Sequence, residues 1–593
     1  MPRKPDPTSP FKVVIHKDKK YRYAATQPGK VNPDTGKKEY RFVHWGTVDE
    51  NLRFHPNGRY FLATGEERAR LIFPENWDLS ETVVHTGLAE AGTMVREGQN
   101  ESRLYGNSWL LMEIAKITGV YEDLCSVFKD SLHYVDIILT IAFYLILEKG
   151  TIRNIEQWPR VQKVPYDVPL KSDFITEFTQ KITESNRINM LKCRASRLRP
   201  GELCAVDSTS KSAYGKSLAD IKYGHNKDHL PLAQTVEVVV YTLDQHGPVY
   251  YLTCPGNITD SRSLKYILKE LHDAGFKNLV LITDRGYETI ENLGMLIEDE
   301  QKIITAAKIN QRFILDKIKS YGSFGYRPES MKLDKSKKIY YEQFDINYND
   351  INKKSNITSD KLKLNLYLDP ILRATKLVEL EARKYEQKDS LEAIKSEKIP
   401  LGDDKSINEN YSFYDIDYDK DKRLVNSFTL KEKEYKKQLS IAGFFANITH
   451  KVDFEPATAN HHYKLRDEQE KYFNTMKYRL EDNRQRAWSE GGKKGRMFIL
   501  FIALIIYNYL AYIHRAKLSD KFDTVLDVLN EMKPIKYVEH SNTKAYVTPF
   551  IGKQNDICEA FGITAPEGCA PAYATPAQPT AKRGRPRKSQ QDA

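Results

Sequence analysis

The sequence predicts a mixed α/β fold with an interrupted sheet. Between residues 200 and 310, short apolar runs alternate with segments whose apolar residues recur at every third and fourth position, which indicates strands and helices in turn. Two of these runs, 235–243 and 249–253, are separated only by a turn, so antiparallel strands precede the first helix. A similar apolar run returns at 439–448, after a long polar stretch. These three observations predict a mixed sheet with helices, split by an insertion.

The composition is that of a soluble globular chain. The 593 residues are 40% hydrophobic and 29% charged, which excludes a mainly disordered protein and a polytopic membrane protein. A net charge of +11 is modest at this length and permits a polyanionic partner without requiring one. None of the six cysteines has CxxC spacing, and the first ten residues contain no apolar run. We therefore expect a reducing, cytoplasmic location and no signal peptide.

Changes in composition and period predict seven segments. Alternating runs with intervening turn residues indicate a β-rich module first, and a helical period follows it. The polar stretch is rich in Lys, Asp, Asn, Ser and Tyr, with strand-like runs around a charged helix. The predicted segments are a β-rich module (1–100), a helical region (101–198), the first part of the core (199–310), an insertion (311–442), the second part of the core (443–550), a linker (551–581) and a basic tail (582–593).

The most apolar segment of the chain is 497–513, interrupted only by Asn508. A membrane span needs about 20 apolar residues, with about 17 as the lower limit. The alternative is a helix buried on all its faces inside a large domain. Because the rest of the chain has a soluble character, we expect a buried helix that packs against the catalytic sheet, and no membrane partner.

Two aspartates occupy equivalent places in the predicted sheet. Asp207 and Asp284 are each the first acidic side chain at the carboxyl end of a short apolar strand. Ligands of open α/β sheets bind at that edge, and two carboxylates there would suit Mg²⁺ or Mn²⁺. Because aspartate also favours turns, this placement by itself leaves a purely structural role open.

A polar stripe on a later predicted helix contains a third candidate acid. At about 100° per residue, its four members fall within about 60° of one another on the helical wheel. One carboxylate with two cations and a phenol suits a site for metal and phosphate, although a solvated face is the alternative. Asp467 lies beside the stripe and is the rival carboxylate. The four residues are Tyr463, Arg466, Glu470 and Lys477.

The four-residue pattern, together with two further motifs, resembles a known family. Tyr-x2-Arg-x3-Glu-x6-Lys matches the signature of bacterial insertion-sequence DDE transposases, in the insertion-sequence family four group. The segments AVDSTS (205–210) and TDRGY (283–287) are similar to the first and second aspartate motifs of that family. The segments 222–234, 255–264 and 443–449 also have its character. The resemblance is strongest over 200–310 and 440–515, and weaker over 104–147.

The resemblance implies a ribonuclease-H-like, retroviral-integrase-like catalytic core in which Asp207, Asp284 and Glu470 bind two Mg²⁺ or Mn²⁺ ions. The implied activity is cleavage of DNA at the element's ends and joining of the 3′-hydroxyl to target DNA by two-metal-ion phosphoryl transfer. Tyr463, Arg466 and Lys477 would contact phosphates of double-stranded DNA, bound by a homodimer at the nucleoid. Some relatives excise the element through a DNA hairpin and stack a flipped base on a Trp of the insertion. This chain departs from them, because residues 285–469 contain no Trp, which puts the hairpin route in doubt.

The basic tail suggests an auxiliary DNA contact. Arg583, Arg585 and Arg587 stand in an Arg-Gly-Arg-Pro-Arg run that resembles an AT-hook, which binds the narrow minor groove of A·T-rich DNA. A generic basic tail or a localisation signal is the alternative.

Other assignments stay open at the level of the sequence. His225 and His229 are spaced for zinc on a helix, but Gly224 and Pro231 favour a loop. A non-catalytic architectural DNA-binding protein and a nuclease without strand transfer are the competing functions. Metal-dependent nicking separates the first from a transposase, and capture of a labelled 3′ end separates the second.

Overall fold

The computed structural model describes most of the chain and gives the bounds of its elements. The described residues are 10–18, 21–27, 29–31, 38–40, 42–57, 59–60, 63, 65–79, 101–148, 152–215, 218–322, 327–352, 361–480, 484–487, 489–540 and 543–566. The strands are β1 (Phe11–Lys12), β2 (Val14–Asp18), β3 (Tyr21–Thr26), β4 (Gly29–Val31), β5 (Lys38–Tyr40), β6 (Val43–Val48), β7 (Phe54–Pro56), β8 (Leu71–Ile72), β9 (Glu101–Leu104), β10 (Leu203–Ala213), β11 (Ala233–Thr242), β12 (Gly247–Pro255), β13 (Val280–Thr283), β14 (Lys302–Ala307), β15 (Lys332–Asp334), β16 (Ile339–Asn347), β17 (Lys361–Leu368), β18 (Tyr414–Tyr418), β19 (Val425–Leu430), β20 (Phe444–His450), β21 (Lys536–His540) and β22 (Thr543–Val547).

Helices are distributed along the whole described chain. The α-helices are α1 (Gly65–Ala69), α2 (Gly106–Ile117), α3 (Val120–Val127), α4 (His133–Leu147), α5 (Ser172–Lys181), α6 (Glu184–Ser196), α7 (Asp260–Asp273), α8 (Ile290–Glu298), α9 (Arg312–Ser320), α10 (Tyr348–Ile351), α11 (Pro370–Glu397), α12 (Asp404–Asn410), α13 (Glu432–Ile441), α14 (Pro456–Lys464), α15 (Asp467–Asn474), α16 (Glu490–Ile513), α17 (Val525–Met532) and α18 (Lys553–Phe561). A 3₁₀ helix spans Ile152–Arg160, and π-helical turns span Thr475–Arg479 and His514–Leu518.

The chain forms two units. The first comprises Met1–Arg187, Arg479–Glu481 and Ala487–Ala593. The second comprises Ile188–Tyr478 and Asp482–Arg486, and it contains both candidate aspartates and the four-residue signature.

A nine-stranded sheet organises the second unit, in the order β12-β11-β10-β13-β14-β20-β17-β16-β15. Strands β10, β11 and β12 pair antiparallel, whereas β13 and β14 run parallel to β10. Helix α7 makes the crossover between β12 and β13, with Leu264, Ile267 and Leu271 buried on one face. The predicted mixed α/β sheet is confirmed, and its strand order is consistent with a ribonuclease-H-like core.

The predicted insertion consists of two structurally different parts. Strands β15, β16 and β17 extend the same sheet, and β17 pairs with β20 such that Leu368 lies opposite Phe444. Both long strands precede helix α11 instead of flanking it, which corrects the predicted order. Residues 370–441, here called the outer lobe, have a hydrophobic core of their own, which includes Leu391 and Phe413.

The first unit begins with a four-stranded antiparallel sheet in the order β2-β3-β6-β7. One face of it covers a core that includes Ala24, Phe54 and Trp77. Strand β9 pairs with β21, so residues near 101 and near 536 form one small sheet. The strands expected within 11–62 are present among the described residues, while 80–100 lie outside them.

Helix α16 is the apolar segment noted in the sequence. By length and composition, Glu490–Leu518 could cross a membrane, yet 78% of its most apolar window is buried inside the protein. It packs among α2, α4 and α5 of the first unit, which replaces the catalytic sheet as its expected packing partner. A Cβ atom at Gly495 would lie 2.0 Å from the Thr179 carbonyl oxygen, so the close approach of α16 to α5 requires glycine there. The buried-helix interpretation agrees with this packing.

The predicted linker, 551–581, includes a helix, so the prediction is wrong for that part. Helix α18 (Lys553–Phe561) lies within the predicted linker, and its Ile557 and Phe561 are buried. The apolar residues of this segment span too few positions for their spacing to distinguish a helix from a loop. The tail with Arg583, Arg585 and Arg587 lies outside the described residues.

Candidate active site

Asp207 and Asp284 lie side by side where the parallel pairing of the internal strands β10 and β13 ends. Strand β10 ends its apolar run at Val206, and β13 ends at Thr283. Val206 and Thr283 are partners in the parallel pairing of the two strands. The residue after each partner is an aspartate, so the strand register sets the two aspartates beside each other. The expected strand end is wrong for Asp207, because β10 continues to Ala213 in antiparallel pairing with β11 and only its pairing with β13 ends at Val206.

The environment of Asp207 is buried and strongly polar. Its backbone neighbour Ser208 donates an N–H hydrogen bond to Oδ1 at 2.7 Å. The pKa of the Asp207 carboxyl is raised to about 6, chiefly by burial; the Lys227 ammonium opposes this rise, and the nearby Asp284 carboxylate contributes to it. Asp284 accepts a hydrogen bond from the backbone N–H of Gly286 at 2.6 Å.

Two cationic side chains contact the oxygens of Asp207. Arg466 Nη1 lies 3.3 Å from Oδ2, and Lys227 Nζ lies 3.5 Å from Oδ1. The other arm of the guanidinium, Nη2, lies 3.4 Å from Glu470 Oε1. Arg466 therefore bridges Asp207 and Glu470, whose side chain is 59% exposed.

The expected single helix from Tyr463 to Lys477 is wrong. Helix α14 ends at Lys464, α15 begins at Asp467, and a π-helical turn follows from Thr475. The Tyr463 ring and the Arg466 guanidinium remain together, with the ring centroid 5.7 Å from Cζ. Since the π turn adds a residue to the helical period, Lys477 leaves the stripe that a regular helix would give.

Lys477 is held by a different partner. Its Nζ lies 2.6 and 2.8 Å from the two carboxylate oxygens of Asp228, and its side chain is only 7% exposed. Asp467, the rival of Glu470, is exposed in the first turn of α15. The structure thus brings Asp207, Asp284, Arg466, Glu470 and Tyr463 together, with Lys477 bound to the loop that carries Asp228.

Comparison with known families identifies the fold that carries this arrangement. A family model described as "Transposase DDE domain" matches residues 199–506, which is more than half of the chain. The chain belongs to the DDE transposase family.

Comparisons with curated proteins and with solved structures add no further evidence on function. No curated protein matches the chain. Among solved structures, one match is "Cryo-EM structure of piggyBac transposase synaptic complex with hairpin DNA (SNHP)", with 10% sequence identity and a TM-score of 0.32. It covers 72% of this chain and 75% of that chain, and at this TM-score it carries no argument.

DDE transposase domains use divalent metal ions, and the donors here are consistent with that chemistry. Within the described residues, no group of three or more His, Cys, Asp or Glu side chains is arranged to hold a metal ion. However, the donors of Asp207 and Asp284 are all oxygens, as Mg²⁺ and Mn²⁺ prefer. Each oxygen of Asp207 already faces a cationic side chain, so this site attracts positive charge.

Sequence reasoning missed three members of this DDE transposase site. Lys227 and Asp228 lie in the segment 222–234, in which the sequence draws attention to the family resemblance and to two histidines but not to these side chains. Asp260 is the first residue of α7, directly after the N-cap position Thr259, and its carboxylate accepts a hydrogen bond from Ser208 Oγ. These three residues reach the site through contacts between segments that are far apart in the sequence, so no local sequence pattern indicates them.

The alternative zinc interpretation of His225 and His229 is not supported. Both side chains are exposed, their ring centroids lie 6.5 Å apart, and His229 has a positive φ of 57°, which a helix does not allow. The Asn226 carboxamide oxygen accepts the Asp228 N–H at 2.8 Å and shapes the turn. The loop interpretation of this segment is confirmed.

Proposed function

We propose that this DDE transposase is catalytically active, cleaving DNA at the ends of a mobile element and joining the 3′-hydroxyl to target DNA. The observation that carries the proposal is the pairing of Val206 with Thr283 in parallel strands, which sets Asp207 beside Asp284. A protein that only binds DNA has no need for two like charges held together, one of them buried, since their repulsion is costly.

The proposed metal ligands are Asp207, Asp284 and Glu470, with two Mg²⁺ or Mn²⁺ ions. Such ions, when bound, activate the attacking oxygen and stabilise the leaving oxygen. Asp207 supplies a buried carboxylate, Asp284 a half-buried one, and Glu470 an exposed one from a helix. Glu470 reaches the pair only through Arg466 in this structure, so its ligand role rests on the family resemblance.

Arg466 and Tyr463 are proposed to contact DNA phosphates beside the aspartates. The guanidinium fork can engage a phosphate with two parallel hydrogen bonds, and its Nε is buried without a hydrogen-bond partner among the described residues. Lys477 joins this contact only by exchanging Asp228 for a phosphate. The proposed partners are double-stranded transposon ends and target DNA, bound by a homodimer in the cytoplasm at the nucleoid, with the tail as an AT-hook contact.

The test uses the full chain and a supercoiled plasmid that carries the sequence flanking the coding region. We expect Mg²⁺-dependent nicking and capture of a labelled 3′ end by a second duplex. Asp207→Asn, Asp284→Asn and Glu470→Gln should each abolish both reactions while DNA binding persists. Asp467→Asn, which changes an exposed acid on the same helix as Glu470, is the matched control and should retain activity.

The outcomes separate the competing functions. DNA binding without nicking by the unaltered chain would favour the architectural alternative. Nicking without capture of the labelled end would favour a nuclease. Loss of activity in Asp467→Asn with normal activity in Glu470→Gln would transfer the third carboxylate role to Asp467.

A further inference from the structure

Asp260 is a fourth carboxylate at the point where Asp207 and Asp284 lie side by side. It is the first residue of α7, but its side chain turns to the strands instead of capping the helix. Oδ1 accepts a hydrogen bond from Ser208 Oγ, and Oδ2 lies 3.1 Å from Lys227 Nζ. The Asp260 side chain is mostly buried, whereas that of Glu470 is exposed.

Asp260 touches the segments that carry both candidate metal ligands. Ser208, which donates to it, directly follows Asp207. On the other side, a Cβ atom at Gly286 would lie 2.9 Å from Asp260 Oδ2 and 3.0 Å from Asp284 Oδ1. Glycine at this position therefore lets the turn after Asp284 come close to Asp260, and the two carboxylates converge on it.

Lys227 provides the counter-charge in this cluster. Its Nζ donates to the Ser208 carbonyl and hydroxyl oxygens, both at 2.8 Å, and contacts Asp260 at 3.1 Å. Its contact with Asp207 Oδ1 is the longest of the four, at 3.5 Å. Ser208 and Asp260 therefore hold the Lys227 ammonium in place, and from there its positive charge acts on Asp207.

We infer that Asp260 and Lys227 are positioning residues that set the net charge around Asp207 and Asp284, and thereby the affinity of the pair for divalent cations. Lys227 adds a positive charge that competes with a cation, and Asp260 adds a negative charge that attracts one. This inference rests on the proposed function, because it takes Asp207 and Asp284 as the metal ligands.

Two single substitutions should shift metal affinity in opposite directions. Lys227→Met removes the competing charge and should tighten Mn²⁺ binding about tenfold, while Asp260→Asn should weaken it about tenfold, in the range seen for residues that support metal ligands. Lys227→Met combined with Asp260→Asn should return near the unaltered affinity, and Lys227→Arg, which keeps the charge, should change it little.

The measurement is Mn²⁺ binding to the full-length chain without DNA, followed by electron paramagnetic resonance of the free ion. Asp207→Asn identifies the binding that belongs to this site. Thermal unfolding of each variant confirms that it is folded. If Asp260→Asn does not fold, the direction of the Lys227→Met shift decides alone, with tighter binding supporting the inference and unchanged or weaker binding overturning it.

A purely structural role predicts a different pattern, in which both single substitutions weaken Mn²⁺ binding and the double variant is weakest. That pattern, or the absence of any Mn²⁺ binding that Asp207→Asn removes, would overturn the inference. Opposite shifts in a chain that does not nick DNA would support the inference and reject the proposed activity. Normal nicking without the shifts would leave the proposed activity and reject the inference.

Discussion

Asp228 binds Lys477 through both of its carboxylate oxygens, at 2.6 and 2.8 Å from Nζ. The neighbouring residue in the chain, Lys227, contacts Asp207. One short loop therefore engages both the first aspartate motif and the last residue of the four-residue signature. It fixes the segment after α15 against the strands that carry the acids.

The buried ion pair gives a first prediction, on stability. Asp228→Asn leaves the Lys477 ammonium buried without a counter-charge, which should cost about 3 kcal/mol of the free energy of unfolding. Thermal unfolding of the full chain should show a transition lowered by several degrees. Asp316→Asn, which removes an exposed pair with Lys319 on α9, is the control and should change little. An equal effect of both variants would refute the buried-pair argument.

The bridge made by Arg466 predicts a loss of cleavage on conservative replacement. Arg466→Lys keeps the charge, but one ammonium cannot reach both Asp207 and Glu470 as the fork does. We expect single-turnover nicking at saturating Mg²⁺ to fall about 10- to 100-fold, with thermal stability nearly unchanged. Arg312→Lys, at an exposed position on α9, should nick normally. Unimpaired cleavage in Arg466→Lys would show that charge alone is needed.

Close packing of α16 predicts a sharp difference between two glycines. Gly495→Ala would put a Cβ 2.0 Å from the Thr179 carbonyl oxygen, so α16 and α5 must separate. The free energy of unfolding should fall by at least about 2 kcal/mol. At Gly491 a Cβ lies 3.5 Å from the nearest atom, Gln180 Cγ, so Gly491→Ala should be neutral or slightly stabilising. Equal stability of the two variants, measured by denaturant unfolding, would contradict the packing described.

A buried acid in the first unit predicts a pH dependence of stability. Burial raises the pKa of Asp136, on α4, to about 6. The unfolded chain loses this proton near pH 4 and the folded chain near pH 6, so the group lowers stability as pH rises through that window. Asp136→Asn removes the ionisable group and should raise the free energy of unfolding at pH 8 by roughly 2 kcal/mol.

The gain in Asp136→Asn should shrink below pH 6 and vanish near pH 4. Asp130→Asn, at an exposed position shortly before α4, is the matched control and should show no such gain. Chemical denaturation at several pH values measures both. A gain that is the same at every pH would exclude ionisation of Asp136 as its cause.

The basic tail predicts a change in salt dependence. Removing 582–593 deletes five basic residues, so DNA binding should weaken, and the slope of log K against log salt should flatten by about 0.9 per lost phosphate contact. An AT-hook further requires a greater loss on A·T-rich than on G·C-rich duplexes. A chain with the same five residues changed to Gln controls for length. Equal losses on both duplexes would leave a plain basic tail.

The parts of this structure that could be predicted from sequence are those written in local patterns. Asp207 and Asp284 each follow a short apolar run, and the adjacency of the two runs follows from the parallel crossover through α7. The sequence points to Glu470 through the spacing of the Tyr-Arg-Glu-Lys signature. No apolar strand directly precedes this residue, so the argument used for the two aspartates does not apply to it. Predicting these positions requires no information about contacts between distant segments.

The remaining features depend on contacts between distant segments. Lys227 and Asp260 meet although strands β11 and β12 lie between them in the chain, and no period in the sequence links the two. The π turn at Thr475–Arg479 cannot be read from residue types, so the sequence does not show that the helical period changes around Lys477. The packing partner of α16 was also wrong, because a uniformly apolar helix carries no information about which surface it meets.

The pairing of Leu368 with Phe444 has an evolutionary consequence. The chain leaves the sheet after one of these residues, builds the outer lobe, and re-enters the sheet at the other, its immediate ladder neighbour. A tight turn could connect the same two points without disturbing any strand that holds Asp207 or Asp284. The outer lobe is therefore an insertion whose two ends join the sheet at one pair of neighbouring residues. A lineage of such proteins can acquire, exchange or discard it in one genetic event while the strands that carry the candidate acids are inherited intact.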